Sequence, residues 1–359
     1  MLSLIDRYIA KNFIINFLTA LAGFVVLFLS VDYLSNMTTV DASGSAIANY
    51  YKYLTPSIIH QMLPMACIVA TIFTLSALNK NSELISLFAM GSSLARVSAP
   101  ILVIVSILSA GNFVASSNIL PKFNELKDKV YWLEIRKRPG MFSTVKTNKI
   151  WYRSGNIFFN IKSLNAPKKL ASGASFYYFD SEWELVQTIT AKNVLFGPGQ
   201  WTLKNGLLHI FPEESSFPLS SKFETKIIQM NEELADIQLD TNSSDRLGAG
   251  DLKRYIEKNK NAGIDTVHFE VAYHQKFSYA ASAFILVLLG IPFSVKRERA
   301  GSMVANLGLC LGLVVLFWAC YSSFVTMAKY GSVPPILGAW AANVLLGGFA
   351  VYLISKLRY

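Results

Sequence analysis

Apolar residues gather into two blocks, residues 13 to 119 and 277 to 355, on either side of a polar middle of ordinary soluble composition. A hydrocarbon core of about 30 Å is crossed by about 20 apolar residues in helical form. Six stretches reach that size: about 13 to 34, 53 to 78, 97 to 119, 277 to 295, 302 to 328 and 334 to 355. The first is too long for a cleavable signal and no A-x-A-like site follows it before Asp32, so it is expected to stay as a span.

From about residue 142 the period changes from helical to strand-like, in short runs such as Lys149-Ile150-Trp151-Tyr152, Ile157-Phe158-Phe159-Asn160-Ile161 and Ser175-Phe176-Tyr177-Tyr178-Phe179. Asn205-Gly206, between Gln200-Trp201-Thr202-Leu203 and Leu207-Leu208-His209-Ile210, predicts a type I′ hairpin, and a second turn is expected at Asp180-Ser181 before Trp183. Short antiparallel strands without helices between them imply a sandwich, jelly roll or barrel-like fold, able to hold a lipid or to dock edge-to-edge on another β protein. The flanks read as helices. Residues 121 to 138 continue the third span with Lys122, Lys127, Lys129, Arg136, Lys137 and Arg138, and Asp251 is expected to cap an amphipathic helix with Leu252, Tyr255 and Ile256 on one face, ending near Gly263.

Composition agrees with spans: 52% hydrophobic and 16% charged residues, with a mean hydropathy of +0.37. The net charge is +10; residues 120 to 276 carry 22 Lys and Arg against 18 Asp and Glu, leaving 11 against 5 elsewhere. Such an excess fits nucleic acid, anionic lipid or the positive-inside bias of cytoplasmic loops. The last explains most of it, so no nucleic-acid partner is expected. Arg7, Lys11, Lys80, Arg96, Lys296, Arg297, Arg299, Lys356 and Arg358 flank the spans on one side, against Lys52 and Lys329 opposite. Nine against two puts both termini in the cytoplasm and, after three spans, the middle region outside. The chain thus divides into residues 1–120 with three spans, an outer domain over 121–276 with helical linkers, and 277–359 with three more.

With that orientation, the second span carries Pro56, His60, Gln61 and Pro64 in its outer half. Such residues are costly against lipid, so His60, Gln61 and Pro64 are candidates to line a wet cavity, or else to pack a kinked helix on its neighbours. Gly308 and Gly312 make a GxxxG step in the fifth span, expected to serve tight packing within the chain. Cys67, Cys310 and Cys320 all lie in apolar stretches and read as buried small residues. His60, His209, His268 and His274 show no metal-binding spacing. The sequence holds no GxxxxGK[ST] motif, no Gly-rich loop between strand and helix and no G-x-S-x-G elbow. No cofactor or catalysis is expected, and any ATP hydrolysis would fall to a partner.

The loop between spans two and three is the most informative short segment, Asn79-Lys80-Asn81-Ser82-Glu83-Leu84-Ile85-Ser86-Leu87-Phe88-Ala89-Met90-Gly91. It predicts a short helix over about 80–91, capped by Asn81 or Ser82, with Leu84, Leu87 and Phe88 on one face and Gly91 ending it. Such a helix suits a groove in a soluble partner, or the membrane interface.

This loop, with Ser82-Glu83-Leu84 and Ala89-Met90-Gly91, resembles the coupling segment of the LptF/LptG (YjgP/YjgQ) family of lipopolysaccharide-export permeases. Three further regions agree: Ile5-Asp6-Arg7-Tyr8-Ile9; Lys276 through Gly290-Ile291-Pro292-Phe293 and the basic loop to Gly301; and Gly331-Ser332-Val333-Pro334-Pro335-Ile336-Leu337-Gly338-Ala339. The resemblance covers nearly the whole chain, and the opening and the Val31-Asp32-Tyr33-Leu34 run lean toward the LptG side. It implies an α-helical membrane protein with six spans, three plus three, around an inserted all-β, jelly-roll-like periplasmic domain. It implies the permease subunit of an ABC exporter in the inner membrane. The partners would be an LptB-like ATPase dimer, a paralogous LptF-like permease, LptC- and LptA-like periplasmic bridge proteins, and lipopolysaccharide. Glu83 matches the position whose carboxylate contacts the ATPase, with Ser82, Leu84, Leu87, Phe88 and Gly91 around it.

Family members often carry lysines just after the Val-Asp-x-Leu run, but Ser35 and Asn36 stand there in this chain. Lys52, Lys122, Lys127 and Lys129 are then the candidates for a phosphorylated lipid head. Two rival readings stay open on the sequence. A secondary transporter would show inverted repeats and charges inside spans, which are not evident. A non-transporting receptor or envelope-assembly scaffold leaves the polar half of span two unexplained.

Overall fold

The computed structural model describes residues 4–38, 40, 42–137, 145–165, 169–197, 199–212, 217–230, 241–261, 265–295 and 303–356. Arg138, the basic loop from Lys296 through Arg297 and Arg299 to Gly301, Arg358 and Gly263 lie outside the described residues.

Six helical stretches are long and apolar enough to cross a membrane, and each contains or closely matches one of the predicted spans. They comprise α1 (Leu4–Asn36), α2 (Gly44–Lys80), the run Leu94–Ile135, α7 (Val267–Val295), α8 (Met303–Lys329) and α9 (Pro335–Lys356). A seven-residue helix, α3 (Glu83–Ala89), lies between the second and third. The run Leu94–Ile135 consists of α4 (Leu94–Val114), a π-helical stretch Ala115–Ile119, α5 (Leu120–Lys129) and a second π-helical stretch Val130–Ile135. Its 42 residues extend about 63 Å, twice the hydrocarbon thickness, so the helix continues well beyond the predicted span.

Serines start two of these helices. The Ala46 amide donates to Ser43 Oγ at 3.3 Å and the Arg96 amide to Ser93 Oγ at 3.2 Å, satisfying donors that a helix start leaves open. At the centre, α2 and α7 share two apolar cores. One joins them to α1 and α4 through Phe13, Cys67, Ile101 and Val287. The other joins them to α8 and α9 through Ile72, Leu289, Phe317 and Ala342. Gly290 explains how closely α2 and α7 approach: a Cβ there would lie 3.1 Å from Ile68 Cγ1 and 3.3 Å from Ile72 Cγ1.

The GxxxG step behaves otherwise than expected. A Cβ at Gly308 or Gly312 would meet nothing within 4 Å. The packed face of α8 is Cys310, Leu313, Val314, Phe317 and Tyr321, and helical geometry turns Gly308 and Gly312 away from it. Among the described residues, the step therefore meets no other helix of this chain.

The polar middle forms a second compact unit, residues 136–244 and 251–266. Its strands are β1 (Val145–Ser154), β2 (Ile157–Asn165), β3 (Leu170–Phe179), β4 (Leu185–Gly197), β5 (Gln200–Ile210) and β6 (Leu219–Gln229). They form one antiparallel sheet in sequential order, so every described strand pairs with its neighbour in the chain. Alternate residues build its core: Phe159 faces Phe176 across β2 and β3, Phe176 faces Ile189 across β3 and β4, and all three are fully buried. Trp201 closes this core with ring centroids 4.7 Å from Phe196 and 5.2 Å from Phe159.

The turn at Asp180 is present, with Asp180 Oδ1 accepting from the Glu182 and Glu184 amides at 2.9 and 2.8 Å. Asn205-Gly206 is not a turn. β5 runs straight through it, with Lys204 opposite Asn193 and Gly206 opposite Ala191. Asn205 takes φ 52° but Gly206 is absent from the positive-φ residues, whereas a type I′ turn needs both. The glycine is there for space: a Cβ would run into the Thr190 carbonyl oxygen and the Phe223 ring. Asp251 is likewise not a cap. α6 (Ala249–Asn261) begins two residues earlier, and Asp251 sits in its first turn paired with Arg254 at 2.6 Å, while Leu252 and Tyr255 are buried as expected.

Candidate functional site

The chain reverses between α2 and α3 in only two residues, Asn81 and Ser82. The reversal puts Ser82 in the left-handed region, φ 61°, where its side chain makes no capping bond, so the expected Ser82 cap is absent. Asn81 instead closes α2, its amide donating to the Ala77 carbonyl at 3.1 Å, and its Nδ2 reaches Glu83 Oε1 at 3.4 Å. Gly91 ends α3 as predicted. At φ 82° its amide donates to the Phe88 carbonyl at 2.9 Å and the Ser92 amide to the Leu87 carbonyl at 3.0 Å, a Schellman arrangement.

Leu84 and Leu87 are buried in the helical core and Phe88 packs partly on it. The face expected to meet a partner therefore anchors α3 to its own bundle. The exposed apolar residues of α3 and its C-cap are Ile85, Ala89 and Met90, with Met90 69% exposed. Periodicity identified the Leu84, Leu87 and Phe88 face but not which side of α3 it turns to, and Ile85 and Ala89 stand apart from that face without a pattern of their own.

Glu83, at the first turn of α3, is partly exposed. Its Oε1 also accepts from Tyr8 Oη at 3.5 Å, a long contact. Nearby in sequence terms, Asp6 on α1 is buried and accepts from Arg96 Nη2 of α4 at 2.8 Å. In the sequence Asp6 is legible only as part of an opening motif and Arg96 only as a flanking charge, because nothing local pairs residues 90 positions apart.

At the opposite end of α2, the polar residues are tied into the bundle. His60 Nδ1 lies 2.7 Å from Asn112 Oδ1, and its ring centroid 5.0 Å from that of Tyr279. Pro64 is buried and cannot donate to the His60 carbonyl; Tyr279 Oη donates to the neighbouring Gln61 carbonyl at 2.6 Å. Ser57 Oγ donates to Asn124 Oδ1 at 2.7 Å. Lys276 Nζ donates to the Ser116 carbonyl at 2.8 Å, inside the first π-helical stretch, where the shifted ladder leaves carbonyls open to other donors. His60 and Pro64 thus pack against neighbouring helices, and of the three cavity candidates only Gln61 is exposed. Asn112, Tyr279 and Lys276 had no signal of their own in the sequence beyond being polar in an apolar run.

The four candidate lysines share this end of the bundle. Lys52, Lys122 and Lys129 are exposed and have no ion pair among the described residues. Lys52 Nζ lies 5.8 Å from the Tyr53 ring centroid, and that ring lies 6.3 Å from Phe123, beside Lys122. Lys127 is paired: it lies 3.2 Å from Asp128 Oδ1 while Arg246 takes Oδ2 at 2.7 Å. Around them stand Tyr33, Tyr50, Tyr51, Tyr53, Tyr131 and Trp132, several in ring contact, and Tyr51 Oη donates to Asp32 Oδ2 at 3.1 Å. Such an aromatic group is the composition of a membrane–water boundary. Asn36 Nδ2 donates to Asp32 Oδ1 at 2.9 Å.

Six membrane-length helices, a β unit inserted after the third, and a short helix between the second and third give the architecture of a multi-pass membrane protein. The chain belongs to the lipopolysaccharide export system permease LptF/LptG family, whose profile matches residues 7–356. It is 23% identical over 373 aligned positions, covering all of both chains, to the lipopolysaccharide export system permease protein LptG of Haemophilus influenzae (strain ATCC 51907 / DSM 11121 / KW20 / Rd). That relative stands on the LptG side, toward which the opening and the Val31–Leu34 run lean.

Proposed function

We propose that this chain is the membrane subunit of an exporter that extracts lipopolysaccharide from the inner membrane and passes it through its β unit toward the outer membrane, driven by a separate LptB-like ATPase. The family match across residues 7–356, which spans both helical halves and the β unit, carries this reading. Both termini and α3 lie in the cytoplasm, and the β unit lies in the periplasm.

In this reading the ATPase docks on the outward surface of α3, with Ile85, Ala89 and Met90 supplying apolar contact and Glu83 a carboxylate. Both described contacts of Glu83 are long and fall on Oε1, which suits a carboxylate that takes a cationic partner on docking. Leu84, Leu87 and Phe88, anchored in the core, carry the stroke inward. At the other end, exposed Lys52, Lys122 and Lys129 meet the phosphates of the lipid head as point charges, and Lys127 joins them if its Asp128 pair opens. A paralogous LptF-like permease completes the transport path, the open GxxxG face of α8 giving it a close approach. LptC- and LptA-like proteins receive the lipid from the β unit.

Glu83→Ala tests the assignment in native membranes and in vesicles containing the purified complex. The expected result is ATP hydrolysis with export reduced by about tenfold or more, a coupling loss within the usual range. Normal export by this variant would remove Glu83 from the mechanism, and failure of any ATPase to purify with the wild-type chain would sink the exporter reading itself.

A further inference from the structure

The helix α1 is held to its bundle by a narrow seam. Its buried residues are Asp6, Ile9, Phe13 and Phe17, spaced by three or four so that they share one face, and Asn16 Nδ2 adds a bond to Thr74 Oγ1 at 3.0 Å. Three of the four seam residues are apolar packing. The fourth is a carboxylate, and burying one is costly unless a cation and hydrogen bonds compensate it. Arg96 supplies the cation at 2.8 Å while its own side chain stays 55% exposed.

The placement of these partners is what gives the pair a role. Arg96 follows α3 by a single turn, at the start of α4, and Glu83 opens α3. From the first two turns of α1, Asp6 reaches the first and Tyr8 reaches the second. Two polar contacts from α1 therefore straddle α3.

We propose that Asp6 is a positioning residue for coupling: its pair with Arg96 at the start of α4, together with the Tyr8 contact to Glu83 at the start of α3, clasps the start of α1 to the segments on either side of α3, so that force on α3 moves α1 with it. The inference rests on the exporter reading, in which an ATPase pushes on α3. α1 has 33 residues and extends about 50 Å. A tilt imposed at its first turn is carried to its far end, where Asp32 bonds Tyr51 near Lys52. The apolar seam alone tolerates sliding; a directional ion pair to a buried carboxylate fixes register.

The test uses the whole complex, this chain with its partner permease and ATPase, in vesicles loaded with lipopolysaccharide. Asp6→Asn and Arg96→Gln are compared with wild type and with the exchanged pair Asp6→Arg/Arg96→Asp, reading ATP hydrolysed and lipid delivered. The expected result is hydrolysis near the wild-type rate, lipid delivered per ATP down about tenfold in each single variant, and recovery in the exchanged pair. Coupling at the wild-type level in Asp6→Asn would overturn the proposal. Spin labels at Lys11→Cys and at Ser86→Cys, an exposed α3 position outside the apolar docking contact, in a chain freed of native cysteines, give a second reading that does not depend on the Asp6 and Arg96 variants assembling. Their separation is expected to stay constant through the ATP cycle, and a separation that changes would overturn the clasp. A wild-type complex that hydrolyses ATP without delivering lipid, or contains no ATPase, refutes the exporter reading instead.

Discussion

A histidine in an apolar helix has to find its partner inside the protein, because lipid offers none. His60 finds Asn112 at 2.7 Å, and Asn112 is itself buried. The two residues therefore stand or fall together: removing one leaves the other's polar atoms unsatisfied, at about 1–3 kcal/mol, while replacing both by apolar groups of similar size is nearly neutral. Asn112→Leu is expected to lower the thermal stability of the detergent-solubilised chain, and His60→Leu/Asn112→Leu to regain most of it. A double variant as unstable as the single one would mean that the pair is not the unit. Sequence alone marked His60 as out of place in a span but could not name what satisfies it. The answer lies 52 residues away on another helix, and no local pattern encodes that distance. Gly290 is a similar case, visible in a motif but explained only by Ile68 and Ile72 across the helix contact.

At the scale of elements, α3 was legible as a helix and its end at Gly91 was legible as well, because the left-handed residue that closes a helix favours glycine. What the sequence could not give was direction. Leu84 and Leu87 read as an outward face and turned out to be the anchor. Gly91 has φ 82° with open space around it, so Gly91→Val tests conformation rather than fit. A β-branched residue held left-handed costs about 1–2 kcal/mol, which should unravel the last turn of α3. Hydrogen exchange at the amides of Met90, Gly91 and Ser92 is expected to quicken, with weaker recovery of the ATPase on purification; unchanged exchange would show that the turn is held by something other than its glycine. Asn205-Gly206 teaches the opposite lesson. The same dipeptide preference that signals a hairpin also fits a mid-strand site where Thr190 and Phe223 leave no space for a Cβ, and only the pairing partners decide between them.

For the whole molecule, all six spans and the β insertion were readable from hydropathy and periodicity, since a bilayer imposes length and apolarity on every span. The π-helical stretches were not readable, because one extra residue per turn leaves no mark in composition. Orientation rests on a different kind of argument, the asymmetry of nine flanking cations against two, and it fixes everything the β unit and α3 are proposed to do. It can be tested by labelling. With Cys67, Cys310 and Cys320 replaced, single cysteines at Lys52, Lys192 and Lys80 occupy exposed positions at one end of α2, on β4 and at the other end of α2. In spheroplasts, a membrane-impermeant maleimide is expected to label Lys52→Cys and Lys192→Cys directly, and Lys80→Cys only after the inner membrane is opened. Cations are retained on the cytoplasmic side during insertion, so the reverse pattern would require the loops to have inserted against that bias. It would also place the β unit beside the ATP supply and α3 away from it, and a protein so arranged could not take a cytoplasmic stroke on Glu83 or hand lipid onward from its sheet.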